Sequence, residues 1–172
     1  MDNDKLHSMI RALAFPAALT WMVLAPAGAA AQQGGKDPVA GTWMVVSLVT
    51  TKADGTKVDG YGTNPKGMLI FDGRGHYSLQ ICRAGRAKFA SGARDKGTPQ
   101  EYQAAVHDCN PHWGRYAIAG DKLVFDIEDA MYPNWSGLKQ ERAFKIEGDQ
   151  LRYFVPAGST GGTAELVWRR VK

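Results

Sequence analysis

Leu138-Lys139-Gln140-Glu141-Arg142-Ala143-Phe144-Lys145-Ile146, then Glu147-Gly148-Asp149-Gln150, then Leu151-Arg152-Tyr153-Phe154-Val155, is the stretch that decides the fold class. Residues of equal parity share one face of a strand, so Leu138, Gln140, Arg142, Phe144 and Ile146 point one way. Lys139, Glu141, Ala143 and Lys145 point the other way, and their charges belong in water. The first set therefore faces inward. Gly148-Asp149 is a tight-turn pair, and pairing across it sets Leu151, Tyr153 and Val155 beside the inward set. The stretch reads as an antiparallel hairpin with one wet face.

The same pattern extends in both directions. Strands are expected at about 113–119 and 122–128, joined by Gly120-Asp121, which aligns Tyr116 with Phe125 and Ile118 with Leu123. A last strand covers about 163–171. Upstream, Gly41 to Thr50 is rich in β-branched residues, and Gly67 to Asp72 and His76 to Cys82 form a hairpin across Gly73-Arg74-Gly75. A two-residue and a three-residue turn both fit there, and they place Tyr77 and Leu79 on opposite faces. Eight sequential strands with short turns predict an all-β, eight-stranded antiparallel up-and-down barrel, with a two-sheet sandwich as the second fold. Thr98-Pro99-Gln100-Glu101 starts one short helix after the third of these strands: Thr98 can cap, Pro99 suits the first turn, and Glu101 completes a capping box. That helix should end near Asp108, before Pro111, and plug or flank one barrel end.

Asp129 to Gly137 interrupts the alternation with Pro133, Asn134 and Gly137 while carrying Tyr132 and Trp135. Large aromatics in a loop need cover, so this loop should fold over a barrel end. Residues 1–31 read as a secretory signal: Lys5 and Arg11, a 14-residue apolar run from Ala12 to Ala25, and Ala29-Ala30-Ala31 before the first mature residue, Gln32. The run is short for a bilayer span and contains Pro16, so no stable membrane insertion is expected after cleavage. Residues 32–39 read as a flexible linker and 40–172 as the barrel domain. The expected location is the periplasm or the exterior.

The net charge of +4 is spread along alternating segments without a basic run, which argues against a nucleic-acid partner. In an exported chain, Cys82 and Cys109 are expected to form a disulfide. A metal site using His107, Cys109, His112 and Cys82 and a pair of free thiols are the other readings. No nucleophile elbow, zinc-protease pair or phosphate-cradling glycine loop is present.

Gly41-Thr42-Trp43 at the start of the first strand and Trp168-Arg169-Arg170 in the last resemble the signature of lipocalin and calycin barrels. A longer ordered set resembles the bacterial and fungal lipocalin-like domain family: Gly114-Arg115-Tyr116, Gly120-Asp121, Tyr132-Pro133-Asn134-Trp135-x-Gly137, Gln140-x-Arg142, Gly148-Asp149-x-Leu151 and Leu166-Val167-Trp168. The resemblance covers about residues 40–171. It implies that Trp43 packs across the barrel base under Arg169 or Arg170, and that the barrel holds a small molecule. Family members often carry histidines where this chain has Phe125 and Asp126, and haem-binding relatives use a late histidine, whereas none here follows His112. No cofactor and no metal is expected.

The candidate ligand-binding residues are Arg142, Gln140, Tyr116, Phe125, Tyr132, Trp135, Phe144 and Tyr153; Trp43, Arg169 and Arg170 are structural candidates. Two readings stand for Arg142: it meets a ligand, or it is a buried arginine paired with Asp129 or Glu128. Tyr132 and Trp135 either pack as a lid or touch the ligand. The leading function is an exported protein binding a small, mostly apolar ligand with a polar or anionic end. An isomerase or cyclase using the cavity, with Tyr116, Asp126, Glu128 and Arg142 as available groups, is the alternative, and a protein-binding or inhibitory module is the third.

Overall fold

The computed structural model describes residues 37–159 and 161–172. The expected signal segment and the first part of the expected linker lie outside those residues. Among the described residues nine strands form: β1 (Gly41–Thr51), β2 (Lys57–Asp59), β3 (Lys66–Phe71), β4 (His76–Cys82), β5 (His112–Ala119), β6 (Lys122–Ala130), β7 (Lys139–Glu147), β8 (Gln150–Val155) and β9 (Thr163–Arg170), with α1 (Pro99–His107) between β4 and β5. Every pairing is antiparallel, and β1 pairs with both β3 and β9. Eight strands thus close the expected barrel through the β1–β9 pairing. The three-residue β2 is an addition that pairs only with the far end of β1, Val49 to Thr51.

The hairpin that set the fold class pairs as its parity requires, Phe144 opposite Tyr153 and Ile146 opposite Leu151. Tyr116 faces Phe125, and Ile118 faces Leu123. The open question at Gly73-Arg74-Gly75 resolves to a three-residue turn: Phe71 pairs with Tyr77, and the Asp72 amide donates to the His76 carbonyl at 3.0 Å. Tyr77 and Leu79 therefore point inward. Outside, the alternate set forms cross-strand ion pairs such as Lys122–Glu141 at 2.7 Å and Arg152–Glu165 at 2.6 Å. Such exposed pairs add little to stability.

Two β-bulges change which parity faces inward. In β1 the register against β9 skips one residue between Val45 and Ser47, so Trp43 faces in near the start of the strand but Leu48 and Thr50 face the cavity beyond it. In β6 the skip is at Glu128, opposite the junction of Trp113 and Gly114. Gly114 is needed there, because a Cβ would lie 2.1 Å from the Asp126 carbonyl oxygen and 2.6 Å from the Glu128 nitrogen.

The base of the barrel is closed by aromatic packing. Trp43 is fully buried, and its indole nitrogen donates to the Val39 carbonyl at 2.8 Å. The Arg170 guanidinium stacks 4.0 Å above that ring and donates to the carbonyls of Ala40 and Pro38, both at 2.6 Å. Arg170, not the outward-facing Arg169, is thus the base arginine. Asp37 to Val39, the last part of the stretch read as linker, lies on this base: Val39 is fully buried and Asp37 accepts from the Tyr116 hydroxyl.

The capping box of α1 forms as read, with Thr98 accepting from the Glu101 amide and Glu101 accepting from the Thr98 amide. No α1 residue is buried, so the helix flanks the barrel. Cys82 and Cys109 are bonded, with Cα atoms 4.1 Å apart. That bond removes the thiolate-metal reading and ties the segment bearing α1 to the end of β4. Closing a loop of this size is expected to stabilise the fold by roughly 3–4 kcal/mol in the chain-entropy model. Denaturant midpoints with and without reductant measure it; two titratable thiols in the native oxidised protein would contradict the bond.

Candidate functional site

At the end opposite the Trp43 base, the barrel opens into a cavity of about 110 Å³. Leu48 of β1, Leu79 and Ile81 of β4, Val155 of β8 and Leu166 of β9 form its apolar wall. Thr50, Tyr61, Asn110, His112, Arg142 and Tyr153 supply its polar groups, and Trp135 and His107 stand at the mouth. Among the described residues, no Asp or Glu lines it.

Arg142 is the centre of the site. Its inward parity on β7 leaves it 3 % exposed, with the guanidinium carbon 4.8 Å from the Phe125 ring centre and 5.2 Å from that of Tyr153. One nitrogen donates to Gln140 Oε1 at 2.5 Å, while Nε has no partner within the described residues. Neither proposed carboxylate reaches it. Glu128 faces solvent near Arg115 at 3.8 Å, and Asp129 accepts from the Ser136 hydroxyl and the Ala130 amide. The reading of Arg142 as paired with Asp129 or Glu128 is thereby corrected: the Glu128 bulge and the turn after it carry both acids outward. Asp126 also faces out, 3.7 Å from Lys139. A buried guanidinium facing only rings and one amide lacks a neutralising partner, an arrangement that favours an incoming anion.

Tyr153 is fully buried, with its hydroxyl facing the Trp168 indole nitrogen and the Arg142 guanidinium, and Trp168 stacks on its ring. Burial holds the Tyr153 phenol above its ordinary pKa, so it stays a hydroxyl donor.

His112 is the functional residue that the sequence reading treated only as a possible metal ligand. It is 2 % exposed, packed edge-on against Trp135 with ring centres 5.7 Å apart, and its Nδ1 lies 2.8 Å from the Tyr77 hydroxyl. A signal was available: His112 shares parity with Tyr116, and extending the strand by one residue places it inside. Burial, aided by the Arg142 charge, pulls its pKa down to about 3. The ring is therefore neutral at physiological pH. Burial also raises the Tyr77 pKa, so the phenol keeps its proton. Among the described residues that hydroxyl meets no acceptor but Nδ1, which assigns the proton of the Tyr77–His112 bond to Tyr77 and the ring proton to Nε2. The opposite assignment would bury a phenol proton without an acceptor, at about 1–3 kcal/mol.

This buried histidine makes stability depend on pH. An unfolded His112 titrates near 6.5 and the folded one near 3, so the unfolded chain takes up more protons between those values. Its contribution is complete above about pH 6.5 and is lost as pH falls toward 3. Denaturation midpoints at about pH 7 and about pH 5, where most carboxylates stay ionised, should decline in the native chain and decline less in His112→Gln.

The other candidates divide between the cavity and the core. Trp135 lines the mouth, and Tyr132 packs edge-on to it at 5.8 Å but is 41 % exposed, on the loop's outer side. Phe125 is fully buried beneath Arg142. Phe144 packs against the core, and Gln140 acts through Arg142. Tyr116 lies in the base with Phe71, 4.6 Å between ring centres, and its hydroxyl is taken by Asp37.

Residues 40–171 match the profile of the family described as lipocalin-like domain. Among characterised proteins, the 4'-hydroxy-3'-methoxypropiophenone carrier protein ppsC of Aspergillus oryzae is similar, 28% identical over a segment covering 43% of this chain and 74% of that one. Among solved structures, an uncharacterized protein from Bacteroides eggerthii is similar at 13% identity and a TM-score of 0.39, covering 77% of this chain and 98% of its own. A mutant of the fluorescent protein UnaG is similar at 14% identity and a TM-score of 0.36, covering 77% and 96%. Both structures are too distant to bear on the site.

Proposed function

The chain belongs to the lipocalin-like domain family, and from that premise we propose that it is an exported carrier of a small, mostly apolar molecule with a polar or anionic end. The observation that carries this reading is Arg142, a guanidinium 3 % exposed with no carboxylate partner, in a cavity that has an apolar wall on one side and polar groups on the other. A concave apolar wall with a few polar groups is the usual make-up of a small-ligand site. The similar Aspergillus oryzae protein is by its name a carrier of an aryl ketone, which supports the same class of role. Export rests on the N-terminal segment, and the Cys82–Cys109 bond suits an oxidising compartment. Among the described residues no helix is long and apolar enough to cross a membrane.

The acid–base alternative is less well supported. Asp126 and Glu128 face outward in ion pairs, and a histidine with a pKa near 3 is a weak base at neutral pH. Native mass spectrometry of protein purified without denaturation tests the carrier reading. A bound small molecule of defined mass, lost on unfolding, is expected; a bare chain that also takes up no small molecule from an extract of its source would count against it.

A further inference from the structure

Arg142 and His112 both line the cavity, and among the described residues no carboxylate does. Inside the protein the Arg142 guanidinium meets Gln140 Oε1 and the Phe125 and Tyr153 rings, so its charge has no anionic partner. His112 adds a donor, because the Tyr77 hydroxyl occupies Nδ1 at 2.8 Å and leaves the ring hydrogen on Nε2. Thr50, Tyr61 and Asn110 of the same cavity can donate or accept, so the charge of the ligand's polar end is set by Arg142 and His112. A carboxylate accepts from the His112 Nε2–H and neutralises the guanidinium.

We propose that the site selects the carboxylate of a one-ring or similarly small acid, and that Tyr77 is a positioning residue which enforces this selectivity by fixing the His112 tautomer. The inference rests on the carrier reading and names its ligand class. Size follows from the cavity: an apolar cavity of roughly 150 Å³ holds benzene, so about 110 Å³ takes a ring-sized body with its remainder in the open mouth. The Arg142 charge separates a carboxylate from a neutral ketone, which also only accepts. His112 remains neutral across the physiological range, so its donor role does not switch with pH there.

Benzoate, acetophenone and benzamide, titrated against the full exported chain by tryptophan fluorescence and calorimetry, separate the cases. Benzoate is expected to bind at least about tenfold more tightly than either neutral compound, the effect of one charge-assisted hydrogen bond. Acetophenone or benzamide equal to benzoate overturns the anion requirement; in both cases the carrier reading survives. If none of the three binds and no apolar dye enters the cavity, the carrier reading itself fails, and this inference with it. In Tyr77→Phe, benzoate should weaken and the preference over benzamide should shrink. The ring-nitrogen NMR shifts of His112 in the unaltered protein decide independently of how that variant folds. A protonated Nε2 with an acceptor-type Nδ1 is expected, and the reverse tautomer overturns the role given to Tyr77.

Discussion

Trp43→Ala is expected to lower the unfolding free energy by about 3–5 kcal/mol, the range for removing a large buried aromatic. Three separate losses coincide at that position. The indole fills the barrel base and is fully buried; its nitrogen holds the Val39 carbonyl at 2.8 Å; and its face carries the Arg170 guanidinium at 4.0 Å. Arg170 in turn ties down the carbonyls of Pro38 and Ala40, so removing its platform loosens the segment that enters β1. Urea denaturation followed by circular dichroism measures the effect. An unchanged midpoint in the variant would show that Trp43 does not plug the base.

Arg142→Leu should separate binding from folding. Removal of the guanidinium is expected to weaken an anionic ligand about tenfold to a hundredfold, from a lost charge-assisted hydrogen bond of roughly 1.5–3 kcal/mol. Stability should hold or rise. No protein carboxylate is left behind, since Glu128 and Asp129 have partners of their own, and only the half-exposed Gln140 loses one. Replacing a buried, unneutralised charge with an apolar group of similar volume is commonly neutral or stabilising. Ligand titration and denaturation of the two proteins, run side by side, test both halves. Equal affinities would remove Arg142 from the site, and a large fall in stability with unchanged affinity would make it structural.

These two residues also mark how far the sequence reaches. Alternation and turn chemistry are local, and they sufficed for the strands, the Gly148-Asp149 hairpin register and the inward direction of Arg142. The helix cap was legible because Thr98 and Glu101 bond within one turn. Pairing of the two cysteines could be expected from their number and from the export signal. Trp43 and the closing arginine were legible through resemblance, which left open whether Arg169 or Arg170 stacks.

Other features depend on contacts that no local pattern encodes. A bulge moves a strand's inward parity by one residue, so Leu48 and Thr50 reach the cavity against the parity of Trp43, and Asp129 turns outward against that of Ile127. Such a skip is set by the register of the neighbouring strand, far away in the chain. Tyr116 and Phe125 share a face with the site residues, yet height along the barrel puts one in the base and the other beneath Arg142. The sequence by itself determined which faces are wet, how many strands close the barrel and that an arginine enters it. Only the tertiary structure decided what that arginine meets, because burial and hydrogen-bond partners are properties of β1, β4, β5, β7 and β8 assembled together: Tyr77 on Nδ1 of His112, and no carboxylate in reach.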